Sequence, residues 1–310
     1  MELGLSTRHD APHGFRICVL ASGSAGNCTL LLDGEQIVFI DVGLSAKTIV
    51  EASRRLGVAL AHPRYRLAEE KTACAPLLKP VAALLTHTHA DHINNGGLSL
   101  LPHNDVTLFA HASHLAALNG HQHISKLKDM RRVEQFRCAP FQLTSRTFAH
   151  PLVLSHDCSH TFGFVFVHKA GRGREHKFSY VADLGAFDDD LVEALADSEV
   201  LAIEFNHDEH MERMSGRSPA TIERVLGPYG HLSNRDAAAL LEKVIRRSHP
   251  KRRPRDIILL HLSRDCNTPR HALREAHAAL ARCGCNSRVL VARQDEPLQP
   301  ISLLDGGCRV

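Results

Sequence analysis

The segment LLTHTHADHINNGG, residues 84–97, sets His87, His89, Asp91 and His92 within six positions, directly after an apolar run. With 23 histidines in 310 residues, a cluster alone says little, so its order must decide. His87 and His89 are one residue apart, and on extended backbone both side chains point to the same side. Asp91 and His92 follow where the chain turns towards a helix. Two donors can grip one metal ion and the next two a second ion beside it. Mixed imidazole and carboxylate donors suit zinc, manganese or iron. The bland alternative is a polar loop in a histidine-rich chain. The fixed offsets and the position at a strand's C-terminal end favour ligands.

A two-metal site needs more donors than these four, and each should stand where a strand ends. His156 and Asp157 close FAHPLVLSHD, Asp183 closes KFSYVAD, and His261 closes DIILLHLS. One histidine at a strand end is usually a core or capping residue. The same placement three times over, after the cluster, points to ligands. His150 competes with His156.

Outward from these positions, the pattern alternates. FRICVLASG reads as a strand, and TLLLDGEQIVFIDVG as a hairpin turning at Asp33-Gly34. Helical spacing follows at 45–56 and a connector at 59–79. Residues 80–86 form a short apolar run suited to a strand buried on both faces. Residues 131–182 return to strands, and helices and strands alternate from 188 onwards. This coarse duplication, its second half starting near 145, predicts an α/β fold: a four-layer αββα sandwich of two mixed sheets flanked by helices. The expected organisation is a flexible segment at 1–14 and a single domain over 15–310.

Composition excludes several classes. A hydrophobic content of 44% and a charged content of 23% describe an ordinary globular chain. The net charge of +3 permits a nucleic-acid partner without arguing for one. No apolar run is long enough for a transmembrane helix, and the first residues lack a signal peptide's apolar core. No membrane partner is therefore expected. The nine irregularly spaced cysteines read as free thiols in a reducing, cytoplasmic setting.

The order H-x-H-x-D-H, then His, Asp and His, resembles the metallo-β-lactamase fold hydrolases. Seven stretches extend the likeness: ASGSAGN (21–27), IDVGLS (40–45), SHD (155–157), ADLG (182–185), EFNHD (204–208), GHLSN (230–234) and HLS (261–263). Together they resemble the YycJ/WalJ-like subgroup. Cys158, His160 and Cys266 depart from its pattern. The resemblance implies phosphodiesterase chemistry on nucleic acid, on DNA rather than RNA, as an exonuclease. It implies two divalent ions, zinc or manganese with iron admissible, that activate a hydroxide for attack on phosphorus. His87, His89 and His156 would hold one ion; Asp91, His92 and His261 the other; Asp183 would bridge. Asp41 would steady the ligand turn from behind.

The leaving oxygen needs a proton, and His231 is the candidate acid, oriented by Glu204, with His207 as its competitor. Asn206 lies in the same motif. In SGSAGN, Ser22, Ser24 and Asn27 offer small residues whose backbone N–H groups could approach a phosphate. Arg213, Arg217 and Arg224 are candidates for the substrate groove. The basic run Arg246–Arg255 reads first as a solvated loop and second as a phosphate contact. The alternative activity is a small-molecule cyclic phosphodiesterase of the phosphoribosyl type. A thioester or lactam hydrolase has no evident use for the extra Glu204/His231 pair. A binding module with structural metals would have closed sites.

Overall fold

Two seven-stranded sheets carry the chain in the computed structural model, which describes residues 14–56, 58, 60 and 78–303. Most of the connector expected at 59–79, and of the segment 1–14, lies outside the described residues. The first sheet holds β1 (Phe15–Ala21), β2 (Cys28–Asp33), β3 (Gln36–Ile40), β4 (Lys79–Leu84), β5 (Thr107–His111) and β6 (Val133–Phe136) in sequence order. The second holds β7 (Phe141–Gln142), β8 (Thr147–Leu154), β9 (Thr161–Lys169), β10 (Glu175–Val181), β11 (Val200–Glu204), β12 (Asp256–Leu260) and β13 (Arg288–Val291). The last strand, β14 (Ile301–Ser302), crosses back to pair with β1.

Each sheet is antiparallel in its first part and parallel in its second. β1–β2–β3 and β7–β8–β9–β10 are antiparallel, whereas β3–β4–β5–β6 and β10–β11–β12–β13 are parallel. Helices cover both outer faces. On the first sheet lie α1 (Ala46–Arg55), α2 (Asn95–His103), α3 (Ala112–Ala117) and α4 (Gln122–Asp129). After the second sheet's antiparallel strands come α5 (Asp189–Leu195), α6 (Glu209–Arg213), α7 (Pro219–Leu226), α8 (Asn234–Arg247) and α9 (Pro269–Arg282). Of these, α5, α8 and α9 bury apolar residues against that sheet. The architecture is the expected αββα sandwich.

The layer between the sheets explains why FGFVFVH had to be a strand. Phe162, Phe164 and Phe166 alternate inwards from β9 and meet Phe178 and Tyr180 of β10, all essentially without solvent contact. Burying each such ring stabilises the fold by roughly 1.5–3 kcal/mol. The helices start where the sequence supplies a cap: Ser45 accepts from the Thr48 amide, and Ser233 from the Asp236 amide.

Three local expectations need correction. The hairpin turns at Gly34-Glu35 rather than Asp33-Gly34, since Asp33 pairs with Gln36 and Gly34 carries the left-handed φ of 61°. Asp33 stays on the ladder because its buried carboxylate accepts from Thr147 and from Arg146. Helix α4 was not anticipated; its short amphipathic turn buries only Ile124 and Leu127. The halves divide between β6 and β7, slightly before 145, and β14 breaks the duplication by returning to the first sheet.

Candidate metal centre

All the strands that supply candidate donors end on the same side of the sandwich. β3 leads into Asp41, β4 into the 86–92 turn, β8 into His156, β10 into Asp183, β11 ends in Glu204, and β12 leads into His261. Asp41, Asp183 and His261 have left-handed φ values of 59°, 59° and 55°. Such backbone costs on the order of 1–3 kcal/mol per residue and persists only where the surroundings impose it. The ligand turn lies directly on the end of β3: a Cβ on Gly43 would stand 1.8 Å from the Asp91 carbonyl oxygen. Only glycine permits that approach.

The donors form overlapping groups whose ligand atoms lie within 4.8 Å of one another: His87 with His89 and His156, Asp91 with His92 and His261, and His87 with His92 and Asp183. Within them, His92 Nε2 is 2.9 Å from Asp183 Oδ2, and His261 Nε2 is 3.3 Å from Asp91 Oδ2. His89 Nδ1 is 3.4 Å from His156 Nε2. His150 stands outside the cluster, on β8.

What suits this cluster to metal is how the outer partners hold the rings. Thr86 Oγ1 donates to Asp41 Oδ2 at 2.8 Å, so it accepts from His87 Nδ1 at 3.1 Å. His92 Nδ1 is 2.6 Å from Asp41 Oδ2, His156 Nδ1 is 2.9 Å from the Gly230 carbonyl, and His261 Nδ1 is 3.1 Å from Glu204 Oε1. In each of the four, Nδ1 is turned to an outer oxygen and Nε2 is left to face the cluster. His87 Nε2 is buried with no hydrogen-bond partner. An orphaned imidazole nitrogen in an acidic cluster fits a cation, and outer-partner fixation of ligand histidines is what metal sites require.

The electrostatics agree. Burial and then the neighbouring His92 hold His87 well below its ordinary value, neutral and able to donate. Burial opposes a charge on His92, yet Asp183 and Asp41 hold it well above the ordinary range. Burial likewise opposes the His261 proton, but Asp183, Asp91 and Glu204 raise that ring to about 10. Against burial, His261 and His92 hold the Asp183 carboxylate well below its usual range. Protons therefore stand where cations belong, and metal binding would release them.

Beside the donors lies a cavity of about 410 Å³ lined by His231, Asn206, Ser24, Ser263, Arg217 and Arg224 together with the ligands. His231 Nδ1 is 2.8 Å from Glu204 Oε1, the same oxygen that faces His261. Glu204 Oε2 accepts from the Leu184 amide at 2.9 Å. Burial works against ionising Glu204, but His231 and then His261 hold it down at about 2. One buried carboxylate thus grips a cavity histidine and a metal-facing histidine together.

The remaining sequence candidates sort by place. Asn206 Nδ2 donates to the His261 carbonyl at 2.9 Å. Ser22 Oγ accepts from the His261 amide at 2.9 Å, and Asn27 Nδ2 lies 2.9 Å from His92 Nε2 and 3.3 Å from Asp91 Oδ2. Ser24 alone of that loop reaches the cavity. The loop's amides at 22, 23, 25, 26 and 27 are committed to partners inside the protein, so it braces ligands and offers no amide cradle. His207 is buried against Ser233 and does not line the cavity, and neither does Arg213. Sequence reading missed Thr86, which touches Asp41, His87 and His92, and Gly230, whose carbonyl fixes His156. A threonine ending an apolar strand immediately before the first histidine was the available signal for Thr86. Nothing local could mark a carbonyl 74 residues away.

Residues 51–261 match the Beta-lactamase superfamily domain. The chain belongs to that superfamily. It is 25% identical over 254 residues to a protein named exodeoxyribonuclease WalJ from Streptococcus pneumoniae serotype 2, strain D39, covering 82% of this chain and 84% of that one. It is 28% identical over 257 residues to one named exodeoxyribonuclease YycJ from Bacillus anthracis, with the same coverage of both. Its fold is similar to that of the metallo-beta-lactamase fold protein YhfI from Bacillus subtilis, with a TM-score of 0.58, 14% identity, and 92% and 99% of the two chains covered. This superfamily member is a metal-dependent hydrolase with a His/Asp cluster able to hold metal ions. Among its described residues no helix is long and apolar enough to cross a membrane, and every described cysteine is a free thiol.

Proposed function

We propose that this protein is a phosphodiesterase acting on nucleic acid, a DNA exonuclease that works with two divalent ions, zinc or manganese, with iron also compatible. The observation that carries the reading is the four fixed histidines whose Nε2 atoms converge beside a hydrogen-bonded pair, His231 and Glu204, on the cavity wall. His87, His89 and His156 would hold one ion, Asp91, His92 and His261 the other, with Asp183 between them. When bound, two such ions lower the pKa of a shared water from 15.7 towards about 7 and neutralise charge on phosphoryl oxygens.

The chain's own residues supply the rest. His231 presents Nε2 to the cavity while Glu204 accepts its Nδ1–H. Burial opposes its protonation, but Glu204 and Asp183 raise it above the ordinary value, which favours a proton held at the cavity wall. That is the role of a general acid towards the leaving oxygen. His207 lies behind Asn206, its Nδ1 3.3 Å from Asn206 Oδ1, and suits bracing better than proton transfer. The two relatives named exodeoxyribonuclease support DNA as the polymer.

The test is a metal-reconstituted assay on end-labelled duplex DNA, RNA of the same sequence and a cyclic ribose phosphate. Shortening of the DNA from its ends, abolished by chelator, is the expected result. Turnover of the cyclic phosphate alone would move the assignment to a small-molecule phosphodiesterase.

A further inference from the structure

Arg217 and Arg224 are the two arginines lining the cavity, whose other walls are polar apart from Ala90 and Val225. They come from one stretch, Arg217 just before α7 and Arg224 within it, and are held by different loops. Arg217 Nη1 lies 3.2 Å from both oxygens of Glu212, and its Nη2 lies 3.0 Å from Asp265. Glu212 is completely buried. A buried carboxylate stripped of its counter-ion is strongly unfavourable, so Arg217 is fixed in place. These contacts leave part of its five-donor fork free. Asp265 follows His261 and Ser263, which puts Arg217 on the second triad's side.

Arg224 stands on the other side. Its Nη1 bonds Asp157, whose second oxygen is 3.2 Å from His156 Nε2 and 3.8 Å from His89 Nε2. The Arg224 side chain is half exposed, and exposed ion pairs of this kind are weak and exchangeable. One guanidinium is thus rigid, paired on the loop that follows His261, and one is free to change partner, paired beside His156. Guanidinium is the side chain whose planar fork matches phosphate oxygens.

We propose that Arg217 and Arg224 form a clamp for a polynucleotide strand, binding backbone phosphates on either side of the one that is cut. The clamp rests on the nucleic-acid reading above and adds the means by which a chain is preferred over a small ester. Arg217 holds one flanking phosphate from a fixed position, and Arg224 exchanges Asp157 for the other.

The experiment compares metal-loaded wild type, Arg224→Ala and Arg217→Lys on duplex DNA and on bis(p-nitrophenyl) phosphate across a salt series. Arg224→Ala should lower kcat/KM on DNA about tenfold more than on the small diester, and flatten the log–log salt dependence by about one phosphate contact. Arg217→Lys keeps the charge and the Glu212 pair but loses the fork. It should lower DNA selectivity with the salt slope retained. Equal losses on both substrates, or no loss on DNA with the salt slope unchanged, would overturn the clamp. Cleavage of the diester with DNA untouched by wild type would overturn the nucleic-acid reading, and the clamp with it.

Discussion

At the C-terminal ends of β10, β11 and β12 stand Asp183, Glu204 and His261; near the N-terminal ends of the same strands stand His176, Glu199 and Asp256. Both ends are rich in charge. At the N-terminal end, Asp256 accepts from Arg255 at 2.7 Å and from Arg288 at 2.6 Å, and Glu199 faces His176. Part of the basic run there is paired locally: Arg246 with Glu242, Arg247 with Glu193 and Arg252 with Asp197. Guanidinium brings its own protons and leaves no lone pair. At the C-terminal end, imidazoles turn Nδ1 to an outer carboxylate, hydroxyl or carbonyl and Nε2 inwards. Charge density does not locate chemistry; the direction in which the donor nitrogens face does.

The strongest way to break that contrast is Asp183→Asn. It should remove bound metal, measured by elemental analysis, and lower hydrolysis by on the order of a thousandfold or more, since the activated water goes with the ions. Retained metal with full turnover would show that the convergence at this end is ornamental. His231→Ala should cost about 10²–10⁴ in kcat while both ions stay. A variant still fully active would transfer the proton donor's role elsewhere. Glu204→Gln should add a second effect, weakening metal affinity roughly 10–100-fold through His261, read by chelator competition.

Acidity offers a gentler probe. His261 is raised to about 10 in the metal-free protein, so its stabilising contribution is full below its unfolded value of 6.5 and is lost as pH rises through 10. Glu204 is held at about 2, so its contribution is full above 4.5 and is lost as pH falls through 2. With chelator present, the melting temperature should therefore decline from pH 6.5 towards 10. With metal bound the decline should be smaller, because the ion replaces the His261 proton. Equal alkaline profiles with and without metal would contradict the site's proton-for-cation exchange.

The smallest effect belongs to the other end. Asp256→Asn should lower stability by about 1–3 kcal/mol through its lost arginine contacts, with metal content and kcat unchanged. Loss of metal in that variant would mean that the two ends are not separable.

Much of this contrast was legible before any coordinates. His87, His89, Asp91 and His92 share one turn, so spacing alone brought them together. His156, Asp183 and His261 were found because each follows a strand whose apolar pattern is plain. Thr86 and Gly230 were not found, because their roles depend on which oxygen a distant ring meets. The SGSAGN loop misled for the same reason: its composition suits phosphate, but Asn27, Gln294 and the Asp91 carbonyl already occupy its groups. The arginines of 246–255 and those at 217 and 224 look alike as residues. Both sets meet carboxylates, and only the fold shows that 217 and 224 line the cavity.

The sequence by itself determined the layers, the strand ends and the donor types, since periodicity and ligand chemistry are local properties. The tertiary structure decided which nitrogen of each histidine faces inwards and that Glu204 serves two rings. It also decided which arginines reach the cavity. Those depend on hydrogen bonds between residues far apart in the chain, and no local pattern records which proton goes to which oxygen.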